Sequence, residues 1–425
     1  MDFEFPVNDK FEATRVLELD FSINPMDERV YVNVDDVRGR EFINEIMFNL
    51  KIENNKLKKS DIFTKIIFSG HRGTGKTIEL KRFHQNVDHP DKYFSIFIEI
   101  ESEFEVSNFQ PEDLLIVLIS NLIEGIHQNN FDFRSKDLDE ILQEWTSDEE
   151  IRKELIEDYR IDIDAEVRSG ASFFGFLKLK GALKNIFSKD SITSHMIRQN
   201  IKKNTPHYIK KLNSIFHRLR HFLIRESKSN GLLFIIDGSE RIPYKIYREL
   251  FIENSSLIKL IECDMMFSVP INACYDISSN IYSEFFHLYA LPMVPIFDKS
   301  IPLLEEIITK RIDSSRFIEK KALRFCVEKS GGCIRQLLRL VNRALIISLG
   351  KKISMDDAKK SAYFIGKSMY DLLDYKHIKI LQSGRFMTAD RKIKDLLFSL
   401  VILDYHNSER IINPLLLDWI EIEKR

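Results

Sequence analysis

The segment from Gly70 to Thr77 has the residue types and spacing that point most directly to chemistry. It reads Gly-His-Arg-Gly-Thr-Gly-Lys-Thr and is followed by Ile78. Glycines allow backbone N–H groups to curl around a phosphate, a following lysine reaches the β- and γ-oxygens, and the threonine hydroxyl can bind Mg²⁺. We therefore predict binding of ATP or ADP with Mg²⁺ by Gly70, His71, Arg72, Gly73, Thr74, Gly75, Lys76, Thr77 and Ile78.

A second polar group follows the apolar run at residues 232–236. That run ends in Asp237, and Gly238, Ser239, Glu240 and Arg241 come next. We predict that Asp237 and Thr77 are the metal ligands, with Asp237 on a strand beside the strand that precedes the glycine-rich loop. The residue directly after Asp237 is not acidic, so Glu240 is the candidate for positioning the attacking water. The predicted catalytic residues are Lys76, Asp237 and Glu240.

These residues need a sheet to hold them. Apolar runs at residues 62–69, 93–100, 232–236, 265–269 and 288–294 predict strands, and residues 77–85 and 111–126 have helical spacing. The alternation predicts an α/β fold with a parallel sheet covered by helices. After residue 301 the pattern is helical only, and it ends with two short strands and a closing helix. That order indicates a helical lid and then a winged helix.

Opposite charges divide the middle of the chain. Residues 132–166 hold 14 acidic and 5 basic side chains, whereas residues 178–228 hold 13 basic and 2 acidic ones. The favoured interpretation is a solvated helical insertion whose halves neutralise each other, and binding of a polyanion by the basic half stays open. Within it, the glycines, aromatics and alternating Leu-Lys pairs of residues 172–187 predict a β-hairpin.

Composition excludes several classes of protein. The 425 residues carry a formal net charge of -2, which argues against a uniformly basic nucleic-acid coat. The four cysteines, Cys263, Cys274, Cys326 and Cys333, lack the two-residue spacing of a zinc or redox motif. No apolar run has the length of a membrane span, so we expect a cytoplasmic protein. No protease, nuclease or deaminase constellation is visible in the sequence.

With these motifs in order, the chain resembles the STAND and origin-recognition-type branch of the AAA+ ATPases. The resemblance covers most of the chain from Val30 onward, apart from the charged insertion. It implies that Arg38, in the segment Arg38-Gly39-Arg40-Glu41, lies against the adenine. It also implies that Ser268 or Asn272 senses the γ-phosphate after the strand at 265–269. Arg335, in Gly332-Cys333-Ile334-Arg335, resembles the sensor arginine of a lid helix.

One departure from that family concerns arginine. Between Arg248 and Arg311 the sequence contains none, although ring-forming AAA+ motors supply an arginine finger from about that region. A cation must neutralise charge in the transition state. The absence of an arginine from this region therefore favours a nucleotide switch with slow hydrolysis over a processive motor. Arg241 and Arg248 stay open as substitutes.

The sequence therefore predicts a P-loop ATPase in four parts. Residues 1–60 form an N-terminal segment with the adenine-side motif, residues 61–300 the ATPase domain with the insertion at about 130–205, residues 301–352 the lid and residues 353–425 the winged helix. We expect a switch that controls a protein effector or another subunit, as in a bacterial anti-phage defence system. The alternative is a DNA loader or remodelling ATPase that uses the basic insertion and the winged helix. A homo-oligomer stays open, and a scaffold that retains ADP is a further alternative.

Overall fold

A computed structural model describes most of the chain. The described residues are 3–39, 41–103, 105–161, 173–188, 191–253, 255–275, 286–384, 391–405 and 409–423. Among them, no helix combines the length and the apolar character needed to cross a membrane.

A five-stranded parallel sheet lies at the centre of the α/β fold. A short antiparallel hairpin, β1 (Ile52–Glu53) and β2 (Lys56–Leu57), precedes it. The sheet has the order β4-β5-β6-β3-β7. Its strands are β3 (Lys65–Gly70), β4 (Tyr93–Glu99), β5 (Gly231–Asp237), β6 (Asp264–Ser268) and β7 (Phe286–Leu291). The apolar residues of β3 and β5 are buried throughout, as expected for strands covered on both faces.

The strand order corrects one prediction. Asp237 ends β5, but β6 lies between β5 and the strand β3 that leads into the glycine-rich loop. Ser268 is paired in register with Phe68 of β3, and Asp237 with Glu99 of β4. Ser268 therefore lies at the same edge of the sheet as Asp237 and closer to the loop.

Helices cover both faces of the sheet. Those before the insertion are α1 (Lys10–Val16), α2 (Asp35–Arg38), α3 (Glu41–Asn49), α4 (Lys76–Val87) and α5 (Ile100–Glu103). Those between β5 and β7 are α12 (Tyr244–Arg248) and α13 (Ser255–Leu260), joined by a π-helical turn, Glu249–Glu253. Short 3-10 turns lie at Val106–Asn108, Ser239–Arg241 and Ile271–Tyr275.

The charged insertion is helical in its described part. Its helices are α7 (Lys136–Trp145), α8 (Glu149–Glu157), α9 (Phe173–Ser188) and α10 (Ile192–Lys203), with α6 (Asp113–Gln128) before the insertion and α11 (Thr205–Arg225) after it. The acidic α7 packs against the basic α11, where Lys211 pairs with Glu140 at 3.0 Å and with Glu144 at 2.6 Å. Lys202 lies 3.7 Å from Glu112. The two charge blocks thus neutralise each other in part.

The predicted hairpin at residues 172–187 is wrong, because the described part of that segment is the helix α9. Ala182, Leu183, Ile186 and Phe187 repeat at helical spacing and are buried in the core of the insertion. Lys180 pairs with Glu103 and Glu124. Burial of this stripe stabilises a helix despite the local alternation of Leu and Lys.

The part after β7 begins with helices that share a core with the N-terminal segment. The helices are α14 (Ser300–Thr309), α15 (Ser314–Phe317), α16 (Lys320–Ser330), α17 (Ile334–Ile347) and α18 (Met355–Tyr370). Val7, Val16 and Leu17 are buried among the apolar residues of these helices. The backbone of Val7 bonds to Arg311 and Asp313, which ties the first residues to the end of α14.

The chain ends in α19 (Tyr375–Ser383), α20 (Arg391–Phe398), the antiparallel hairpin β8 (Ile402–Asp404) and β9 (Arg410–Ile412), and α21 (Leu417–Glu423). We call α19 to α21 the C-terminal unit. Leu400, Leu403 and Tyr405 form a small buried cluster with Met293 and Cys333. This cluster joins the unit to the end of the sheet and to the start of α17.

Candidate nucleotide-binding site

The glycine-rich loop connects β3 to α4 as the sequence predicts. Gly73 and Gly75 have φ values of 82° and 96°, a region that side chains rarely adopt, and Gly75 caps the start of α4. A Cβ atom on Gly73 would overlap the Cβ atom of Arg335. The loop therefore needs glycine both for its turns and for the close approach of α17.

Lys76 is buried at the base of the loop. Its Nζ atom donates to the carbonyl oxygens of Gly70 at 3.1 Å and of His71 at 3.2 Å, and it lies 3.8 Å from a carboxylate oxygen of Glu240. Burial lowers the pKa of Lys76 from its ordinary value, while the carboxylates of Glu240 and Asp237 oppose that shift. A phosphate chain at the loop would compete with the two carbonyls for this ammonium group.

Asp237 and Glu240 meet at the end of β5. Burial, and then the charge of Glu240, raises the pKa of Asp237, against the effect of the Thr77 and Ser268 hydroxyls. Burial opposes ionisation of Glu240 too, but the Lys76 ammonium and the Ser268 hydroxyl hold its pKa below the ordinary value. Glu240 is therefore the carboxylate that stays charged most readily, as a water-positioning group requires.

The donor set fits Mg²⁺. The Oδ1 atom of Asp237 is buried and has no hydrogen-bond partner among the described residues, and the Thr77 side chain is close enough to affect its pKa. Carboxylate and hydroxyl oxygens are the ligands that Mg²⁺ prefers, together with phosphate oxygens. Within the described part of the chain, no group of three or more His, Cys, Asp or Glu side chains could hold a metal ion by itself.

Ser268 contacts Glu240 directly. Its hydroxyl accepts from the backbone N–H of Gly238 at 2.9 Å and donates to Glu240 at 2.7 Å. Ser268 is not among the described residues that line the cleft. The structure thus gives it the geometry of a group that orients Glu240.

Arg335 lies where α17 meets the loop. Its backbone N–H donates to the carbonyl oxygen of Gly73 at 3.2 Å, and the thiol of Cys333 lies 3.7 Å from the carbonyl oxygen of Arg72. Burial lowers the pKa of Arg335, and the nearby charge of Arg72 adds to that shift. An anion between these two arginines would relieve their repulsion.

Arg38 lies behind the loop. Its guanidinium group donates to the carbonyl oxygen of Thr74 at 2.8 Å and lies 3.4 Å from Glu79, and both side chains are buried. Among the described residues that line the cleft, Arg38 is absent. The structure places it as a support of the loop, and not in the cleft where the resemblance implies adenine.

His71 connects the loop to the C-terminal unit. Its Nδ1 atom lies 3.1 Å from the carbonyl oxygen of Leu397, and its Nε2 atom accepts from the backbone N–H of Asp404 at 2.9 Å. A carbonyl can only accept and an N–H can only donate, so these bonds fix the neutral ring with its proton on Nδ1. The side chain is completely buried.

The cleft between the loop, β5 and α17 has a volume of about 440 Å³, which is within the range of small-molecule sites. Sequence reasoning identified Asp237, Glu240, Arg335 and six of the nine predicted loop residues in its wall, whereas Gly70, His71 and Thr74 are not among the described residues that line it. It missed another part of the wall, namely residues 19–23, Lys81, Glu99, Glu101, Arg311 and Leu338.

Arg311 is a notable member of that missed part, because it is a nearly buried cation. It is 5% exposed, and burial lowers its pKa to about 10. One of its terminal nitrogens donates to the carbonyl oxygen of Val16, and its Nε atom has no partner among the described residues. The sequence signal that could have found it is an arginine three residues after the buried apolar stripe of α14, which consists of Leu304, Ile307 and Ile308.

Comparisons with known proteins give likeness to solved structures only. Neither a protein-family model nor a curated protein matches the sequence. The chain is similar to Cdc6p from Pyrobaculum aerophilum, with 11% identity, a TM-score of 0.35, and coverage of 93% of this chain and 100% of that one. It is similar to the ORC1 protein of Aeropyrum pernix in complex with DNA, with 11% identity, a TM-score of 0.40, and coverage of 96% and 86%. It is also similar to the RuvB Holliday junction branch migration motor of Thermotoga maritima, with 12% identity, a TM-score of 0.36, and coverage of 93% of this chain and 98% of that one. With identities and TM-scores this low, none of these likenesses bears on what the chain binds or does.

Proposed function

We propose that the protein is an ATP-binding switch that hydrolyses ATP slowly and uses its nucleotide state to control a partner protein. The observation that carries the proposal is the convergence of Lys76, Thr77, Asp237 and Glu240 at one edge of the sheet, under Arg335. This set can hold a triphosphate with Mg²⁺ and orient a water molecule against it. Mg²⁺ would neutralise phosphate charge and would be held by Thr77 and Asp237.

The switching part of the proposal is supported by the contacts of the loop backbone. The lid holds it through the bond from Arg335 N–H to Gly73, and the C-terminal unit holds it through His71. A nucleotide that rearranges the loop would therefore change the packing of both parts. We assign the ATPase to residues 61–300, the lid to residues 301–352 and a winged-helix domain to residues 353–425. In the last part α18 comes first, and the helix-helix-hairpin-helix order from α19 to α21 supports the winged-helix assignment.

Slow turnover is supported by where the arginines lie. Arg72, Arg241 and Arg335 all line the cleft within one chain, so they could neutralise transition-state charge without a neighbouring subunit. Arg241 also pairs with Glu101, but that pair is more than one third exposed and competes only weakly with a phosphate. The low basal rate that we expect rests on the absence of arginine from the sequence between Arg248 and Arg311. The partner would be a separate effector chain, as in the defence modules that the family resemblance suggests.

The ion pairs of the insertion weigh against the DNA-loading alternative. Lys211 is largely buried and pairs with Glu140 and Glu144, as described above. Neutralised lysines release few counterions from DNA, so they contribute little to affinity.

Turnover by the purified chain tests the proposal. We would compare wild type, Lys76→Ala and Glu240→Gln, with and without duplex DNA, and identify the bound nucleotide after denaturation. We expect slow hydrolysis that DNA does not stimulate. Lys76→Ala should weaken nucleotide binding, whereas Glu240→Gln should bind ATP but not hydrolyse it. Copurified ADP with no turnover would refute the switch and favour a scaffold, and strong stimulation by DNA would favour a loader.

A further inference from the structure

A second cavity lies beside the nucleotide cleft, and we call it the side cavity. Its volume is about 770 Å³, against about 440 Å³ for the cleft. The two share Arg72, Glu240 and Arg241. The other walls of the side cavity come from α20 and from six further residues, namely Ile242, Tyr244, Tyr247, Arg248, Pro270 and Asn272. It is therefore large enough for a second small molecule next to the first.

The walls of the side cavity carry an excess of positive charge. Five cationic side chains line it, against the two carboxylates of Glu240 and Asp395, and the five are Arg72, Arg241, Arg248, Arg391 and Lys394. Arg241 pairs with Glu101 and Arg248 lies 3.5 Å from Glu253, but both pairs are more than one third exposed and so contribute little. Cations from two distant parts of the chain thus converge on a space suited to phosphate.

One further feature points to a ligand that is more than an inorganic anion. The Tyr244 side chain in the wall is 48% exposed and stacks on Tyr247 with an interplanar angle of 16°. A planar ring could stack on the exposed part of Tyr244.

We propose that the side cavity binds a second nucleotide. Its phosphates would meet Arg391, Lys394 and Arg248, and its base would stack on Tyr244. Arginine with phosphate and tyrosine with a nucleobase are the pairings that nucleotide sites use. A free nucleotide and the end of a single nucleic-acid strand share this chemistry. Binding in the side cavity does not require hydrolysis in the cleft, so this proposal can be correct even if the proposed switch is wrong.

Binding stoichiometry tests the proposal on the full chain. Calorimetric titration with ADP should give two sites in wild type and one in the double variant Arg391→Ala/Lys394→Ala. In Lys76→Ala protein, the site that persists should be weakened about 100-fold by the same double change, since each charged hydrogen bond accounts for roughly tenfold in affinity. Lys392→Ala removes a cation from the same helix but not from the cavity wall, and it should leave both sites intact.

A stacking control and a second probe complete the test. Tyr244→Phe should retain the second site and Tyr244→Leu should weaken it, with thermal unfolding confirming that both variants fold. A single-stranded oligo(dT) of twelve nucleotides, titrated in parallel, separates the two sources: binding of ADP supports a free nucleotide, and binding of the oligonucleotide alone supports a strand end. The side-cavity proposal would be overturned if wild type bound ADP at one site only, if Lys76→Ala lost that site, and if the oligonucleotide did not bind. That outcome would not contradict the proposed switch.

Discussion

Replacing His71 by phenylalanine should loosen the C-terminal unit from the nucleotide-binding loop. Phenylalanine has a similar volume, so the change removes the two hydrogen bonds without opening a large cavity. The carbonyl oxygen of Leu397 keeps a second donor, the backbone N–H of Leu400 at 3.3 Å, but the backbone N–H of the buried Asp404 loses the ring as its partner. A buried group that loses its partner costs about 1–3 kcal/mol. The docking of the unit should therefore weaken by about 1–3 kcal/mol.

Amide hydrogen exchange measures this loosening directly. In the middle of that range, at about 2 kcal/mol, exchange at the backbone N–H of Asp404 should speed up by about 30-fold. The matched control is His84→Phe, since His84 bonds to the hydroxyl of Ser95 on β4 instead of to the C-terminal unit. If His71→Phe leaves exchange across Ile402–Asp404 at the wild-type rate, the imidazole does not hold the unit and the coupling through the loop is refuted.

Three other changes test the site. Gly73→Ala should lower ATP affinity by more than about tenfold, because the new Cβ atom would push α17 off the loop. The control is Gly181→Ala, at an exposed helical position with open space around it. It should leave binding unchanged and add up to about 1 kcal/mol of stability. Arg311→Lys should lower both the thermal midpoint and the nucleotide affinity, because lysine keeps the charge but cannot keep the guanidinium geometry at Val16. Normal ATP binding by this variant would contradict a role for Arg311 in the cleft. Asp237→Asn should abolish hydrolysis yet raise the thermal midpoint at neutral pH. The folded-state pKa of Asp237 is raised, so ionisation destabilises the fold as pH rises above 3.8, and the gain from Asn should vanish in unfolding scans below that pH.

The site residues that could be predicted from the sequence are those whose position follows from a local pattern. The glycine-rich loop lies between an apolar strand and a helix, and Asp237 ends an apolar strand, so their meeting at one edge of the sheet follows from the parallel arrangement. The strand order did not follow from those patterns. It depends on the pairing of β3 with β6 and with β7, and both of these strands lie far from β3 in the chain.

The residues that escaped prediction depend on contacts over long separations. Arg311 lines the cleft only because the N-terminal segment packs on the end of α14, through Val7 and Val16. Arg38 lies behind the loop, where Glu79 balances its charge and the carbonyl oxygen of Thr74 accepts a hydrogen bond from it. No spacing rule in the sequence brings these partners together. The hairpin error at residues 172–187 has the same origin, because burial against other helices decided the conformation.

The position of the N-terminal segment has a consequence for the order of events during synthesis. Residues 19–23 form part of the cleft, and the helices that hold this segment begin at Ser300. The ribosome makes roughly 5–20 residues per second, so these first residues wait on the order of 15 to 60 s for their binding partners. Until then the loop and Asp237 can already be folded in the nascent chain, but one wall of the cleft is missing. We therefore expect tight nucleotide capture only after the lid has been made.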